Sequence, residues 1–282
     1  MPELPEVEVM RLSLRPAINT SIDNIHTSNY NLRQPITQQM PQQIIGKQIT
    51  NITRLGKFLI FHCVKNNEVA YIIFHAGMSG SFMLHYDQYI KQKHDHVVLF
   101  LNNNTVISFN DPRRFGLCVS TKQNFYEHKV FQNIGKDALL SPYTAKELQE
   151  LWKNKKSNIK SALLEQNIIT GIGNIYASEI LFQSKVHPQS ICNKLSTDTI
   201  KSILDNTQLV LKKAISLGGS TLNDHKAADG KIGYFQTQFS VYNQHNKSCS
   251  RCSSKNINCS IVKYVQNGRS TFFCPNTQKL IS

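Results

Sequence analysis

The spacing of hydrophobic residues divides the first half of the chain into one helix and a series of strands. Between residues 3 and 15, apolar residues recur every three or four positions, which predicts an amphipathic helix. Pro5 suits the first turn of that helix, where a missing N–H costs nothing. Residues 19–131 then carry short runs rich in Val, Ile and Phe between Asn, Gly and Pro turns, which predicts strands. The clearest predicted strands are 58–64, 69–84, 96–102 and 105–111.

A helical spacing returns near residue 135. It predicts helices over 141–154, 157–166, 174–185 and 197–219. Residues 220–240 are polar and contain glycine, which predicts a loop, and 241–282 read as short strands around cysteines. The predicted fold class is therefore α+β, with a helix and a β-sandwich, a helical module and a small β-hairpin. The expected domains are 1–134, 135–235 and 236–282.

The net charge of the chain indicates which class of partner it binds. The 282 residues include 32 Lys and Arg against 18 Asp and Glu, for a net charge of +14. An excess of this size indicates a polyanionic partner, with nucleic acid ahead of an anionic membrane. No apolar run approaches the roughly 20 residues of a membrane helix, and no secretory signal is visible. We therefore expect a cytoplasmic protein.

The seven cysteines are concentrated near the end of the chain. Four of them lie within residues 249–274. A distributed disulfide framework would not show this pattern, whereas a local metal cluster would. Cys63, Cys118 and Cys192 stand in apolar surroundings and are expected to be buried thiols.

The first residues offer a nucleophile. When the initiator methionine is removed, Pro2 becomes the N-terminal residue with a secondary amine. An α-amine titrates near ~8 in model peptides, and the N-terminus of a helix lowers its pKa further. Such an amine is partly neutral and can attack carbon to form an imine, with Glu3 as a nearby general acid. The alternative is that these residues only begin and cap a helix.

Several blocks of sequence resemble one known family in the same order along the whole chain. They are PELPEVE (2–8), RLGKFLIF (54–61), IIFHAGMSGSF (72–82), KHDHVVL (93–99), DPRRFG (111–116), GIGNIYASEILF (171–182), GGSTLNDHKAADGKIGYF (218–235) and GRSTFFC (268–274). The chain is identified by this resemblance as a member of the formamidopyrimidine-DNA glycosylases, bacterial enzymes that repair oxidised purines.

The resemblance implies a monomeric, bifunctional DNA glycosylase and AP lyase of base excision repair. Such an enzyme removes 8-oxoguanine and formamidopyrimidines from duplex DNA and then nicks the strand by β,δ-elimination. Two alternatives stay open: an endonuclease VIII-type glycosylase for oxidised pyrimidines, and a non-catalytic protein that binds damaged DNA.

The resemblance also implies residue roles. Pro2 would be the nucleophile, Glu3 the acid that helps to open the sugar ring, Lys57 the proton carrier of β-elimination and Arg269 the residue of δ-elimination. Glu6 would be a supporting carboxylate, or would only cap the helix and orient Pro2.

A second implied set of residues contacts DNA. An enzyme that acts on a base must flip it out of the stack, and the gap must be filled. Met78, Arg113 and Phe115 match the residues that fill this gap, and the remaining contacts are His94, Lys155 and Asn174. Without the resemblance, Met78 and Phe115 would be ascribed to core packing. Residues 220–235 resemble the loop that covers the flipped base.

The C-terminus departs from the family pattern, which implies a four-cysteine zinc finger. Cys249, Cys252 and Cys274 occupy three of the four ligand positions, but Thr277 stands at the fourth. Three hypotheses remain open: Cys259 supplies the fourth ligand, His245 supplies it, or the hairpin is stable without metal. Bound Zn²⁺ is therefore an open expectation.

Overall fold

The computed structural model describes residues 1–220 and 233–282. The chain divides into two compact units, Met1–Gln132 with Ile215–Tyr234, and Asn133–Ala214 with Phe235–Ser282. The described residues form seven α-helices and two four-stranded sheets, together with a C-terminal hairpin. The predicted α+β fold class is confirmed, while the division into three domains stays a prediction.

The first unit begins with helix α1 (Leu4–Ser13). The carboxylate of Glu6 caps the start of this helix, because its Oε2 accepts the backbone N–H of Glu3 at 2.9 Å. This contact satisfies one of the donors that every helix leaves unpaired at its N-terminus. Pro16 prevents continuation into the predicted residue 15, and a short 3-10 turn follows at Arg15–Ala17.

Two antiparallel four-stranded sheets make up most of this unit. The strands are β1 (Ile22–Thr27), β2 (Gln48–Leu55), β3 (Phe58–Lys65), β4 (Glu68–His75), β5 (Ser81–His85), β6 (Asp95–Leu101), β7 (Val106–Asn110) and β8 (Leu117–Thr121), with a short helix α2 (Met40–Ile44). Their orders are β1-β6-β7-β5 and β2-β3-β4-β8. Both sheets contribute to one hydrophobic core, which makes the unit a β-sandwich.

The predicted strand 69–84 is wrong as a single element. It consists of β4 and β5, which belong to different sheets. Gly77 has φ +61°, and the backbone N–H of Gly80 donates to the carbonyl of Ala76 at 2.8 Å. A positive φ and a tight turn cannot continue a strand, so the chain crosses from one sheet to the other there. The loop between the strands exposes Met78.

The second unit contains the predicted helical module and the hairpin. Its elements are β9 (Lys136–Asp137), α3 (Ala145–Trp152), α4 (Ile159–Leu164), β10 (Ile169–Thr170), α5 (Asn174–Gln183), α6 (Thr197–Ser216), α7 (Ser250–Ser253), β11 (Val262–Gln266) and β12 (Arg269–Phe273). Thr144 and Asn158 cap α3 and α4 with side-chain oxygens. The observed helices are each shorter than predicted because these caps and Gly218, at φ +77°, set the ends.

Most of the predicted covering loop, residues 221–232, lies outside the described residues. Cys63, Cys118 and Cys192 are buried free thiols, as expected. Across the described part of the chain, no helix combines the length and the apolar character that crossing a membrane requires.

Candidate active site and metal centre

The N-terminal amine lies among four charged side chains of the first unit. Burial is the main cause that lowers the pKa of the amine on Met1 below its ordinary value of 8.0. Glu3 and Glu6 raise this pKa, whereas Lys57 and Arg113 lower it. Pro2, the next residue, is itself buried. An amine held here is neutral more often than a free terminus, which is the state that a nucleophile requires.

Glu6 links the start of α1 to Ser220, which is distant in the sequence. Its Oε2 accepts the backbone N–H of Glu3, and its Oε1 accepts the backbone N–H of Ser220 at 2.8 Å and the hydroxyl of Ser220 at 2.9 Å. A Cβ on Gly219 would lie 3.2 Å from Glu6 Oε1, so the backbone approaches this carboxylate closely. These contacts suit a carboxylate that positions its neighbours.

The turn that carries Lys57 is tied to helix α1 by an ion pair. Arg54 is buried; its Nε donates to Glu8 Oε2 at 3.0 Å, and its Nη1 donates to the carbonyl oxygen of Gly56 at 3.0 Å. Gly56 has φ +58°, which a tight turn between β2 and β3 requires. Sequence reasoning missed Arg54 and Glu8. The available signal was an arginine on the buried face of a strand directly before the Lys57 turn.

Two loops of the first unit present the predicted gap-filling residues. Met78 and Phe115 are 39% and 48% exposed, which excludes core packing as their role. The Arg113 guanidinium lies 5.0 Å from the centre of the Phe115 ring, a cation–π distance.

Buried Asp111 joins these loops. It accepts the hydroxyl of Ser79 at 2.5 Å and the backbone N–H of Gly116 at 2.7 Å. The Ser79 oxygen in turn accepts the backbone N–H of Arg113 at 3.1 Å. The carbonyl oxygen of His94 accepts the backbone N–H of Asp111 at 3.0 Å, so this predicted contact lies beside the same loop. The network brings together four of the residues that the sequence singled out.

The other predicted DNA contacts and Arg269 lie in the second unit. Asn174 Nδ2 donates to the carbonyl oxygen of Ser270 at 2.9 Å, next to Arg269 at the exposed tip of the hairpin. Lys155 forms an ion pair with Glu165 at 2.7 Å, so its charge is already partly compensated.

Sequence reasoning missed Lys160, the last lysine of the cluster 153–160. Its Nζ is buried and donates to the carbonyl oxygen of Ser270 at 3.0 Å and to Thr271 Oγ1 at 2.7 Å. Lys160 and Arg269 both line a cavity of about 290 Å³. The signal was the helical spacing of α4, which places Lys160 on the same side as buried Leu163, three residues further on, rather than on a solvated face.

A cluster of sulfur atoms lies at the base of the hairpin. The Sγ atoms of Cys249, Cys252 and Cys274 all lie within 4.8 Å of one another. Cys259 Sγ is 3.5 Å from Cys274 Sγ, and Cys252 Sγ is also 3.5 Å from it. Tetrahedral zinc with Zn–S bonds of about 2.3 Å separates its sulfur ligands by about 3.8 Å. The spacing and the chemistry of these donors therefore fit a structural zinc ion.

Thr277 lies within the same cluster. Its Oγ1 is 3.3 Å from Cys274 Sγ, 3.5 Å from Cys252 Sγ and 3.9 Å from Cys249 Sγ. Hydrogen bonding by Thr277, with a smaller contribution from Asn276, outweighs burial and lowers the pKa of Cys252 to about 6. His245 is exposed. Among the described residues, Cys249, Cys252 and Cys274 are the group whose ligand atoms all lie within 4.8 Å of one another, and neither His245 nor Cys259 belongs to that group.

Known proteins resemble this chain over its whole length. Residues 1–118 match the Formamidopyrimidine-DNA glycosylase N-terminal domain, and residues 134–226 match the Formamidopyrimidine-DNA glycosylase H2TH domain. A formamidopyrimidine-DNA glycosylase of Wolbachia sp. subsp. Drosophila simulans is 43% identical over 275 residues, which is 97% of this chain and 98% of the relative.

Solved structures also resemble this chain over nearly its whole length. The wild-type Lactococcus lactis Fpg in complex with DNA containing an oxidised pyrimidine is 31% identical, with a TM-score of 0.85, over 99% of this chain and 100% of that chain. The same wild-type protein in complex with DNA containing N7-benzyl-Fapy-dG is 31% identical, with a TM-score of 0.86, over the same shares of both chains.

The fold and these comparisons define a DNA repair glycosylase. The chain belongs to the formamidopyrimidine-DNA glycosylase family.

Proposed function

We propose that this chain is a bifunctional DNA glycosylase and AP lyase that excises oxidised purines, including 8-oxoguanine and formamidopyrimidines, from duplex DNA. The observation that carries the proposal is the N-terminal amine on Met1, whose pKa is lowered by desolvation and is influenced by the charges of Glu3, Glu6, Lys57 and Arg113, next to buried Pro2. A role as a helix cap alone would not explain a lysine and an arginine whose charges act on this amine.

In the proposed reaction, the nitrogen of Pro2 bonds to the sugar C1′ after Met1 is removed. The glycosidic bond breaks, and the base leaves with its electron pair and accepts the proton that the Pro2 amine gives up. Glu3 supplies the proton that opens the sugar ring, and an iminium joins enzyme and DNA. The iminium acidifies C2′–H, Lys57 assists removal of this proton, and the C3′–O bond breaks. Arg269 promotes the second elimination.

Residues of each unit would contact DNA. Met78, Phe115 and Arg113 would fill the space left by the flipped base, with Arg113 donating to the unpaired partner. His94, Lys155 and Asn174 would contact the backbone, as the net charge of +14 favours. The complexes of Lactococcus lactis Fpg with damaged DNA support this binding mode. We further propose a monomer that acts on cytoplasmic DNA.

Zinc would be held by Cys249, Cys252 and Cys274 with one further ligand. When bound, it cross-links the base of the hairpin and supplies no chemistry to the reaction. Its contribution would be to keep Arg269, at the tip of the hairpin, in a defined position.

Borohydride trapping tests the proposal. The mature protein should form a covalent adduct with a duplex that carries 8-oxoguanine opposite cytosine. A Pro2→Gly variant should trap more slowly while still binding the damaged site, and a protein with an uncleaved N-terminal tag should not trap. Full base excision by the tagged protein would exclude Pro2 as the nucleophile. Binding without any adduct would favour a non-catalytic damage-binding protein.

A second substrate class has a specific observation in its favour, because Lactococcus lactis Fpg is described in complex with DNA containing an oxidised pyrimidine. The same trap on a duplex with an oxidised pyrimidine ranks the two classes. Faster trapping of the pyrimidine would indicate an endonuclease VIII-type preference.

A further inference from the structure

Two further groups approach the three sulfurs of Cys249, Cys252 and Cys274. Thr277 Oγ1 lies 3.3–3.9 Å from all three, whereas Cys259 Sγ lies 3.5 Å from Cys274 Sγ. Thr277 stands at the sequence position where the family pattern has a cysteine. A neutral hydroxyl is a poor ligand for zinc, which prefers thiolate and imidazole. The position of Thr277 therefore does not make it the fourth ligand.

The backbone holds Cys259 against the turn that carries the first two ligands. The carbonyl oxygen of Cys259 accepts the backbone N–H of Cys249 at 2.9 Å. The flanking residues Ser248 and Ser260 pair as an antiparallel bridge. Cys259 is thus fixed opposite Cys249, and its thiol reaches Cys274 from this position. A surface cysteine in a loose loop would not be held in this way.

We propose that Cys259 is the fourth zinc ligand, so that the site is a four-thiolate centre with the spacing Cys-x2-Cys-x6-Cys-x14-Cys. The inference rests on the proposal that this cluster binds zinc. Thr277 then acts beside the site, as a hydroxyl that hydrogen-bonds ligand thiolates. The fourth metal–sulfur bond then comes from the loop between α7 and β11, whereas in the family pattern it comes from the segment after β12. The metal closes the loop 253–258, which separates Cys252 from Cys259.

Cobalt substitution tests the assignment, because the intensity of sulfur-to-cobalt charge transfer increases with the number of thiolates. The full chain is purified from zinc-supplemented cells and assayed for zinc, then exchanged with Co²⁺ and titrated against a chelator. The variants are Cys259→Ser, Thr277→Val, the double variant Cys259→Ser/Thr277→Cys, and Ser260→Ala as a matched control beside Cys259.

We expect one zinc per wild-type chain. Cys259→Ser should lose about a quarter of the charge-transfer intensity and bind Zn²⁺ more than ~10-fold more weakly, because even outer-shell changes cost 10- to 100-fold. Thr277→Val and Ser260→Ala should keep the wild-type intensity. The double variant should regain it, because it restores the cysteine at the family position.

The proposal is overturned if Cys259→Ser keeps the wild-type spectrum and affinity, if Thr277→Val loses a ligand, or if the wild-type protein contains no zinc. These measurements need no DNA. A protein that binds zinc through Cys259 but fails to trap 8-oxoguanine DNA would refute the proposed function and leave this inference standing.

Discussion

Single charged side chains shift the pKa of the N-terminal amine. Burial lowers its pKa, and the charges of Lys57 and Arg113 act in the same direction against Glu3 and Glu6. Because a lowered pKa means that the amine loses its proton at lower pH, it is neutral over more of the physiological range. Arg113 therefore has a second effect beyond the DNA contact that we propose for it.

The rate of borohydride trapping should rise with pH as the amine loses its proton, and this rise, the acid limb of the profile, should lie at lower pH than for an ordinary α-amine. Arg113→Gln removes a positive charge near the amine, so the amine pKa should increase and the acid limb should move to higher pH. The rate is measured as single turnover with saturating enzyme, which separates chemistry from binding.

Arg114→Gln is the matched control, because Arg114 is not among the charges that act on the amine and instead lies 5.4 Å from the Tyr30 ring. An acid limb that moves equally in both variants would contradict the assignment.

The ion pair of Lys155 with Glu165 makes a second prediction at this scale. Glu165→Gln removes the competing carboxylate, so DNA affinity should increase by about two- to fivefold, the range expected for a partly exposed pair. Lys155→Ala should decrease it. Fluorescence anisotropy with a labelled duplex measures both.

Glu150→Gln is the control, because Glu150 pairs with exposed Lys153. If Glu165→Gln leaves the affinity unchanged, Lys155 does not contact DNA.

At the scale of elements, buried polar side chains on α4 and α5 form hydrogen bonds with the C-terminal segment. Glu179, in α5, accepts the backbone N–H groups of Ser240, Val241 and Tyr242 at 2.8–2.9 Å. Burial raises the pKa of Glu179, although these three hydrogen bonds oppose the increase. Lys160, in α4, holds β12 in a comparable way. The hairpin therefore depends on polar contacts as well as on its sulfur cluster.

Glu179→Gln should lower the free energy of unfolding by about 1.5–3 kcal/mol, the usual loss for hydrogen bonds to a charged group. The amide has one acceptor oxygen in place of two, so at least one buried N–H loses its partner. Urea unfolding followed by circular dichroism measures the change. Glu150→Gln, an exposed change in α3, should cost less than about 0.5 kcal/mol. Equal losses in the two variants would contradict this role for Glu179.

For the whole molecule, the net charge of +14 governs association with DNA. Lys155 is proposed to contact the backbone, and Lys57 and Arg269 are proposed to act at the C–O bonds next to phosphates that the two eliminations break. These three cations would each neutralise a phosphate, and each neutralised phosphate contributes about 0.9 to the salt slope. The logarithm of the association constant should therefore fall with the logarithm of salt concentration with a slope of at least about −2.7. Anisotropy titrations across a salt series measure it, and a slope near zero would show that binding is not electrostatic.

Local patterns were sufficient for the order of elements and for residues whose type alone indicates their chemistry, such as the cysteines at 249–274. They failed for 69–84, where a continuous apolar run hid a crossing between two sheets. The failure has a physical cause: hydrophobic spacing reports burial, and both strands are buried, whereas the crossing depends on the backbone conformation at Gly77.

Contacts between distant positions required the folded chain. Nothing in the local sequence pairs Glu6 with Ser220, Arg54 with Glu8, or Lys160 with Thr271. These partners are 214, 46 and 111 residues apart, and packing alone brings them together. The amino-acid sequence determines which side chains are available to the fold. It also indicates the helices, the strands and the cysteine cluster through the spacing of apolar residues and cysteines. Tertiary packing selects which of them meet, because burial penalises every polar group that lacks a partner.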